Sequence, residues 1–298
     1  MQRLKRVSEM LLTIDRVQIA TPDAKSAAEM WRRRLGAEQV SADRVRGLGA
    51  KRVTLRAGTG EIELLEPEGN GVVADELARR GRSHLFGAGA TSLDPRALVH
   101  HATSVGVEHQ HENGQDFLRF EIEGKPVHFV ISPPRTVEPT GGIDFLYEVT
   151  LLAADQAAAV TRFAEVFRLD TRNFVTITSE LFGYTGVLTL FAPDRLDRFE
   201  VITPTDFTKT LGRYHARQGS SFYMAYAESR EIGRIERSAK ADDVGHTLDP
   251  REEKRSGRDP EQLWLHPPAL GGMMLGLSRP TLGWRWSGHP ERVVALVQ

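Results

Sequence analysis

Apolar and polar residues alternate along residues 14–20, and this period of two predicts a half-buried β-strand. Asp23 follows the strand, where its side chain can accept hydrogen bonds from the free amides at a helix start. Apolar residues then recur at helical spacing through 24–35, and Gly36 suits the end of a helix. Two apolar runs within 53–65, separated by a turn rich in glycine, predict a hairpin. The pattern therefore predicts a module of one strand, one helix and two or three further strands.

A short apolar strand that ends near a proline occurs four times along the chain. The prolines are Pro67, Pro133, Pro204 and Pro280, and they are 66, 71 and 76 residues apart, as the positions in the sequence give. A strand followed by a capped helix precedes each of them, most clearly in the third copy at 147–167. The regular recurrence predicts four copies of one supersecondary module.

The clearest linker is rich in proline and glycine and covers residues 133–142. It predicts two domains, residues 1–135 and 142–298, with two modules in each. Modules that follow one another are expected to pair, because neighbours in sequence usually pack together. A polar stretch at 239–259 is expected to be an exposed loop.

Composition excludes several classes of function. The 298 residues contain 39 Lys and Arg against 40 Asp and Glu, so the chain lacks the basic surface that a nucleic-acid partner requires. It has no cysteine, which excludes disulfides, thiolate metal sites and a cysteine nucleophile. No apolar run approaches the ~20 residues of a membrane helix, and no signal peptide is evident at the start. We therefore expect a cytoplasmic protein with a small-molecule substrate or ligand, and a homodimer stays open.

The repeated module resembles the vicinal oxygen chelate superfamily. This superfamily includes glyoxalase I, methylmalonyl-CoA epimerase, extradiol dioxygenases and the bleomycin and fosfomycin resistance proteins. The resemblance rests on residues 16–23 and 62–67 of the first module, 147–170 of the third and 266–272 of the fourth. It implies an α+β fold with four βαβββ modules, arranged as two tandem glyoxalase-like domains whose curved mixed sheets surround a cavity.

The resemblance also implies positions for metal ligands. Enzymes of the superfamily usually hold one divalent metal through His, Gln or Glu at two positions per module: seven residues before the capping Asp, and four before the proline. These positions are Arg16 and Glu63, about Gly87 and Phe129, Glu148 and Glu200, and about Phe222 and Gly276 in modules one to four. Neither consecutive pair of modules supplies a complete metal set.

The acidic pair Glu148 and Glu200 is the strongest candidate for chemistry. Two carboxylates on one cavity wall would either bind a divalent cation or separate each other's pKa for acid and base catalysis, whereas a nearby Arg would make them structural. For Arg16 and Glu63 we favour an ion pair in place of a lost metal, with binding of an anionic substrate as the alternative.

Two histidines complete the set of candidates. His128 is one residue out of register with the ligand position, so it points away from the cavity unless a bulge turns it back; it is kept as a candidate metal ligand. His266 lies at a strand end and is a candidate for substrate binding or for a capping role.

Two classes of function follow. The first is a lyase, isomerase or epimerase that acts on a small oxygenated or acyl molecule, with a divergent divalent-metal site or none. The second is a metal-free protein that binds or sequesters a small molecule. An extradiol dioxygenase is the weaker third hypothesis, because its iron needs two histidines and a carboxylate in one site.

Overall fold

The computed structural model describes residues 10–249 and 258–295, and within them the chain forms sixteen strands and six α-helices. The first module comprises β1 (Leu11–Ala20), α1 (Ala24–Leu35), β2 (Glu38–Val45), β3 (Ala50–Ala57) and β4 (Gly60–Pro67), and α2 (Val72–Arg80) follows it. The second comprises β5 (His84–Ser92), α3 (Pro95–Ser104), β6 (Glu108–Glu112), β7 (Gln115–Ile122) and β8 (Lys125–Ser132).

The second half of the chain repeats this order. The third module comprises β9 (Phe145–Leu152), α4 (Gln156–Phe167), β10 (Phe174–Ser179), β11 (Tyr184–Leu190) and β12 (Arg198–Pro204), and α5 (Thr210–Gln218) follows it. The fourth comprises β13 (Ser221–Glu228), α6 (Ile232–Ala241), β14 (His246–Leu248), β15 (Gln262–Leu265) and β16 (Met274–Ser278).

The strands form two eight-stranded mixed sheets, one from each half of the chain. Their orders are β2-β3-β4-β1-β5-β8-β7-β6 and β10-β11-β12-β9-β13-β16-β15-β14, so the two sheets have the same topology. In every module the first and last strands pair in parallel, as in β1 with β4 and β9 with β12, while the remaining neighbours are antiparallel. The predicted α+β fold of four βαβββ modules is confirmed, and consecutive modules share a sheet as expected.

Helix capping follows the sequence prediction. Asp23 accepts a hydrogen bond from the amide of Ser26, and Asp155 accepts one from the amide of Ala158, so both main helices start at the predicted aspartates. Gly36 ends α1 in the left-handed region with a φ of 66°. The third module has Arg168 at the same place with a φ of 53°, where an L side chain is strained.

The alternation of side chains on β12 fixes which face carries the candidate acids. The ring of Phe199 lies 4.6 Å from that of Phe163 and 5.3 Å from that of Phe167, both on α4, measured between centroids. Because successive residues of a strand point to opposite faces, Glu200 lies on the face turned away from the helix.

Contacts along the chain define two compact units, each with one module from each half. One unit contains residues 10–14, Gly87–Arg135 and Glu148–Tyr223, and the other contains Asp15–Phe86, Thr136–Tyr147 and the described part of Met224–Gln298. The domain boundaries 1–135 and 142–298 stay a prediction, which limited proteolysis would test.

Two helices and part of the polar insertion differ from the sequence prediction. Helices α2 and α5 follow the closing strands of modules one and three, where no helix was expected. The insertion 239–259 was expected to be a loop, but it contains the end of α6 and the short strand β14. Residues 250–257 of the insertion lie outside the described residues.

Candidate functional site

A buried charge cluster occupies the family positions of the first module. Nη1 of Arg16 donates to Oε1 of Glu63 at 2.7 Å and lies 3.1 Å from Oε2 of Glu61, while Nη2 donates to Asp15 at 2.6 Å. Arg16 is 1% exposed and Glu63 is fully buried. The contact of Arg16 with Glu63 is therefore present as the sequence predicted. Arg16 contacts three carboxylates in all.

Glu63 is also held by two residues that sequence analysis missed. Nε2 of Gln18 donates to Oε2 of Glu63 at 2.8 Å, and Nη1 of Arg52 donates to Oε1 at 3.2 Å. Burial opposes the charge of Arg16, but Asp15, Glu63 and Glu61 outweigh it and raise the pKa of its guanidinium. Arg16 therefore keeps its positive charge inside the cluster. The assignment of Arg16 and Glu63 to substrate binding stays a prediction.

The third module has an ion pair of its own. Nε of Arg198 donates to Oε2 of Glu148 at 2.6 Å, and both side chains are almost fully buried. Oγ1 of Thr150 donates to Oε2 of Glu200 at 2.6 Å. Arg198 and Thr150 were not among the sequence candidates, although each lies two residues from a candidate glutamate and therefore on the same face of its strand.

Glu200 titrates close to neutral pH. Burial, then the negative charge of Glu148, raise the pKa of Glu200 to about 8, while Thr150 and Arg198 oppose this shift. Oε1 of Glu148 is buried and has no other donor among the described residues, so a proton on Glu200 can satisfy it. At pH 7 the Glu200 carboxyl is therefore mostly neutral, beside a Glu148 that pairs with Arg198.

The charged groups of the first and third modules occupy the same register, but the cation and the carboxylate have changed strands. Arg16 on β1 pairs with Glu61 on β4, and at the same place Glu148 on β9 pairs with Arg198 on β12. One row further along, Gln18 pairs with Glu63 and Thr150 pairs with Glu200. In both modules a polar side chain on the first strand donates to the glutamate on the last strand.

A second guanidinium accounts for the different charge states of the two glutamates. Arg52 on β3 pairs with Leu65, which is two residues beyond Glu63. The corresponding partner of Ile202 on β11 is Gly186, which brings no charge. Glu63 therefore faces two cations, whereas the pKa of Glu200 is raised by its surroundings.

The register in the second module corrects the sequence analysis. His128 pairs with Gly87, which precedes the capping Asp94 by seven residues as Arg16 precedes Asp23, so His128 occupies the place of Glu61. Phe129 pairs with Ala88, and Val130, which pairs with Gly89, occupies the place of Glu63. Phe129 packs against Phe167 with centroids 4.7 Å apart, so it belongs to the core beside α4. The prediction that His128 points to the wrong face was incorrect, and no bulge is needed. The expected position at Phe129 was one residue too early, because Pro133 follows Val130 by three residues whereas Pro67 follows Glu63 by four.

An aromatic ring covers the family position in the fourth module. Tyr226 pairs with Gly276, and a Cβ at Gly276 would lie 2.3 Å from the ring atom Cε1 of Tyr226. Nε1 of Trp264 donates to the hydroxyl of Tyr226 at 2.6 Å. The first-strand position is Met224 rather than the predicted Phe222, since Met224 pairs with Met274, two residues before Gly276.

His266 has a local structural partner. Its Nε2 lies 2.8 Å from Oγ1 of Thr247, and its backbone precedes the short 3₁₀ turn Pro267–Leu270. Partial burial, then the neighbouring His246, lower the pKa of His266, so it is neutral at pH 7. Its assignment to substrate binding stays a prediction.

The residues at the family positions do not fit a divalent metal. A guanidinium nitrogen lies 2.7 Å from Glu63 in the first module and 2.6 Å from Glu148 in the third, so a cationic side chain already occupies the place beside each carboxylate. Within residues 10–249 and 258–295, no group of three or more His, Asp or Glu side chains is arranged to hold a metal ion.

Comparison with solved structures identifies the fold. A mutant of 4-hydroxymandelate synthase from Streptomyces coelicolor superposes with a TM-score of 0.71 at 12% identity, over 95% of this chain and 100% of that one. The chain has the vicinal oxygen chelate fold. A fusion of a xylose isomerase-like TIM barrel with 4-hydroxyphenylpyruvate dioxygenase gives a TM-score of 0.62 at 14% identity, over 91% of this chain and 50% of that chain.

Comparison of the sequence itself found no match. No family profile matches the chain, and no curated protein matches it. At such low identities the vicinal oxygen chelate fold is established, whereas activity has to be argued from the side chains. Within the described residues, no helix is long and apolar enough to cross a membrane.

The titration of Glu200 predicts how stability depends on pH. Its pKa is raised from 4.5 to about 8 on folding, so its contribution to stability is complete below about 4.5 and is lost as the pH rises to about 8. Asp197, whose pKa burial raises to about 7, titrates in part of the same window.

We therefore expect Glu200→Gln to reduce the loss of stability with rising pH. The free energy of unfolding of the unchanged protein should fall more steeply than that of Glu200→Gln between about pH 5 and pH 8, by up to ~1.4 kcal/mol per pH unit. Urea unfolding at several pH values measures the difference. Parallel curves for the two proteins would show that Glu200 ionises normally.

Proposed function

We propose that the protein is a lyase or isomerase that acts on a small oxygenated or acyl molecule, with Glu200 as its proton donor. The observation that supports this most is the pair of adjacent carboxyl groups in the third module, of which Glu148 pairs with Arg198 at 2.6 Å and Glu200 has a pKa raised to about 8. A carboxyl group with a pKa close to the working pH is best suited to proton transfer.

The two glutamates would divide the proton transfers between them. When a proton leaves the carbon beside a carbonyl group, the electron pair moves to the carbonyl oxygen. Glu200 turns its proton from Oε1 of Glu148 to that oxygen, and the released Oε1 of Glu148 accepts the proton from carbon directly or through one water. Return of the two protons restores the glutamates and leaves the isomerised product. Arg198 holds the other oxygen of Glu148 throughout.

This proposal does not route a step through a metal, because guanidinium groups stand beside Glu63 and Glu148 at the family positions. A dioxygenase is a poorer fit, since the C-terminal half brings Glu148, Glu200, Met224 and Gly276 to those positions and no histidine. The alternative of a metal-free binding protein is favoured by the first module, where Arg16 and Arg52 neutralise Glu63.

Deuterium incorporation from D₂O separates an enzyme from a binding protein. A panel of small acyl and hydroxycarbonyl compounds would be followed by NMR with chelator-treated protein, with and without added divalent metals. We expect exchange without metal, a rate about 100-fold lower in Glu200→Gln, and a rate that falls above about pH 8 as Glu200 ionises. Exposed Glu68 provides the control variant Glu68→Gln.

Two results would contradict this proposal. If exchange requires an added metal, the metal-free mechanism is wrong. If Glu200→Gln and Glu148→Gln exchange as fast as the unchanged protein, the pair has no catalytic role and the binding protein is the better hypothesis.

A further inference from the structure

An aromatic ring lies flat over a glycine on one face of the fourth module. Tyr226 on β13 and Trp264 on β15 both pair with Gly276 on β16, which lies between them. A Cβ at Gly276 would lie within 2.6 Å of three atoms of the Tyr226 ring, so the ring rests against the backbone of the glycine. One face of the ring is therefore turned to the sheet and the other away from it.

Two tryptophans lie beside this ring. The ring of Trp264 makes an angle of 81° with that of Tyr226, and their centroids are 6.4 Å apart. The ring of Trp286, which follows the 3₁₀ turn Leu282–Arg285, is tilted by 53° at a distance of 6.4 Å. Tyr226 and Trp286 are each partly exposed, so the group is open to solvent. We use the term aromatic cage for Tyr226, Trp264 and Trp286.

A buried carboxylate without a cation adjoins the aromatic cage. Glu228 follows Tyr226 by two residues on β13, so it lies on the same face of the sheet. It is 7% exposed, and it accepts a hydrogen bond from the amide of Thr281 at 2.8 Å. Among the described residues no cationic side chain forms an ion pair with Glu228, and Arg230, whose charge acts on it, pairs with Asp144 at 3.5 Å. Since buried carboxylates are normally paired, Glu228 can still accept a cation.

Tyr147 connects the cage with this carboxylate. Its ring makes an angle of 30° with that of Tyr226 and lies 6.0 Å away, as offset rings do. Its hydroxyl is 2.9 Å from Oγ of Ser278, which pairs with Glu228. Tyr147 therefore lies beside Tyr226 and extends the aromatic surface toward Glu228.

We propose that the aromatic cage and Glu228 bind the trimethylammonium group of a small organic cation. Aromatic faces attract a cation and cover its methyl groups, whereas a metal ion needs oxygen or nitrogen ligands that the rings do not supply. Nε1 of Trp264 donates to the hydroxyl of Tyr226 at 2.6 Å, so two of the three rings are already fixed in place. The site is independent of the proposed function, because its residues belong to the compact unit that does not contain Glu148 and Glu200.

The depth of the site favours a free solute over a lipid headgroup with the same cation. Trp264 is 9% exposed, and Glu228 is buried to a similar degree. A cation that contacts both has to enter below the surface, which a headgroup held in a bilayer does not do. The neighbouring Arg279 and Arg285 do not compete, because both pair with Glu261.

Choline and its uncharged isostere 3,3-dimethylbutan-1-ol test the proposal, because they differ only in the charged nitrogen. We expect calorimetry to show choline bound about tenfold more tightly than the alcohol. Trp286→Leu and Glu228→Gln should each weaken the binding of choline about tenfold. Trp284→Leu is the matched control and should leave choline binding unchanged, since Trp284 already faces the guanidinium of Arg292 at 4.5 Å.

The opposite results would overturn the cation site. Equal affinities for choline and the alcohol would do so, as would failure of choline to bind at millimolar concentration. Unchanged choline binding in both Trp286→Leu and Glu228→Gln would show that the cage is not the site. Circular dichroism establishes which variants fold, and Glu228→Gln, which keeps the shape of its side chain, decides alone if Trp286→Leu does not. Binding to phosphatidylcholine vesicles without affinity for choline would contradict the assignment to a free solute.

Discussion

Replacement of Arg16 by alanine is expected to destabilise the protein by about 3 kcal/mol or more, since removal of one partner leaves a buried charge without compensation. Arg16 contacts Glu63, Glu61 and Asp15, and it is almost completely buried. After the substitution Arg52 and Gln18 still donate to Glu63. Glu63, Glu61 and Asp15, however, all lose the guanidinium of Arg16. Guanidinium chloride unfolding at pH 7 measures the loss.

A surface ion pair provides the control. Arg32 lies 3.1 Å from Glu29 on α1, and both side chains are more than half exposed. Arg32→Ala should change the free energy of unfolding by less than about 1 kcal/mol. A similarly small effect of Arg16→Ala would show that the buried cluster tolerates an unpaired carboxylate.

The sequence predicted the modules because their signals are local. The strand β1 and the capping by Asp23 and Asp155 were predicted from neighbours a few residues away, and the structure has them in place. The prediction that β1 is half-buried was wrong, because residues 14–20 are buried on both faces of the strand. Helix α2 was missed because Gly71, which precedes it, makes no side-chain cap. The repeat made the fold recognisable even though solved relatives share only 12% and 14% identity with this chain.

The candidate site could be predicted only in part, because strand register cannot be read from the chain alone. The counts from the proline and from the helix cap brought Arg16, Glu63, Glu148 and Glu200 to the correct face. The proline count was wrong by one residue in the second module, where Val130 and not Phe129 holds the position, and the first-strand position of the fourth module was wrong by two, at Met224. The last strand of the second module ends closer to its proline than the others do, and a shift of one residue exchanges the two faces.

Spacing to the proline and to the helix cap could not identify the hydrogen-bond partners of the candidate residues. Arg198 is two residues before Glu200, and a search for polar residues at that spacing would have found it. Arg52 lies on β3, and its contact with Glu63 depends on antiparallel pairing that the sequence does not fix. Sequence analysis therefore named the acids correctly and missed the side chains that set their charge.

Loss of Arg198 should have an effect as large as loss of Arg16. Arg198 is fully buried and is the cation that pairs with Glu148, so Arg198→Ala leaves two neighbouring carboxyl groups in a dry site. We expect a loss of about 3 kcal/mol or more at pH 7. The loss should be smaller at lower pH, where a buried carboxylate that has lost its cation can take up a proton.

Exchange of the two charges should restore much of this stability. The double change Glu148→Arg with Arg198→Glu recreates the arrangement of Arg16 over Glu61, which occupies the same register in the first module. Glu200 would then face a cation on the first strand, as Glu63 does, so its pKa should fall from about 8 toward the ordinary value. Unfolding of the double variant should therefore lose the component of pH dependence that Glu200 contributes, and deuterium exchange should stop. A double variant no more stable than Arg198→Ala would show that the two modules are equivalent in register but not in the space around their charges.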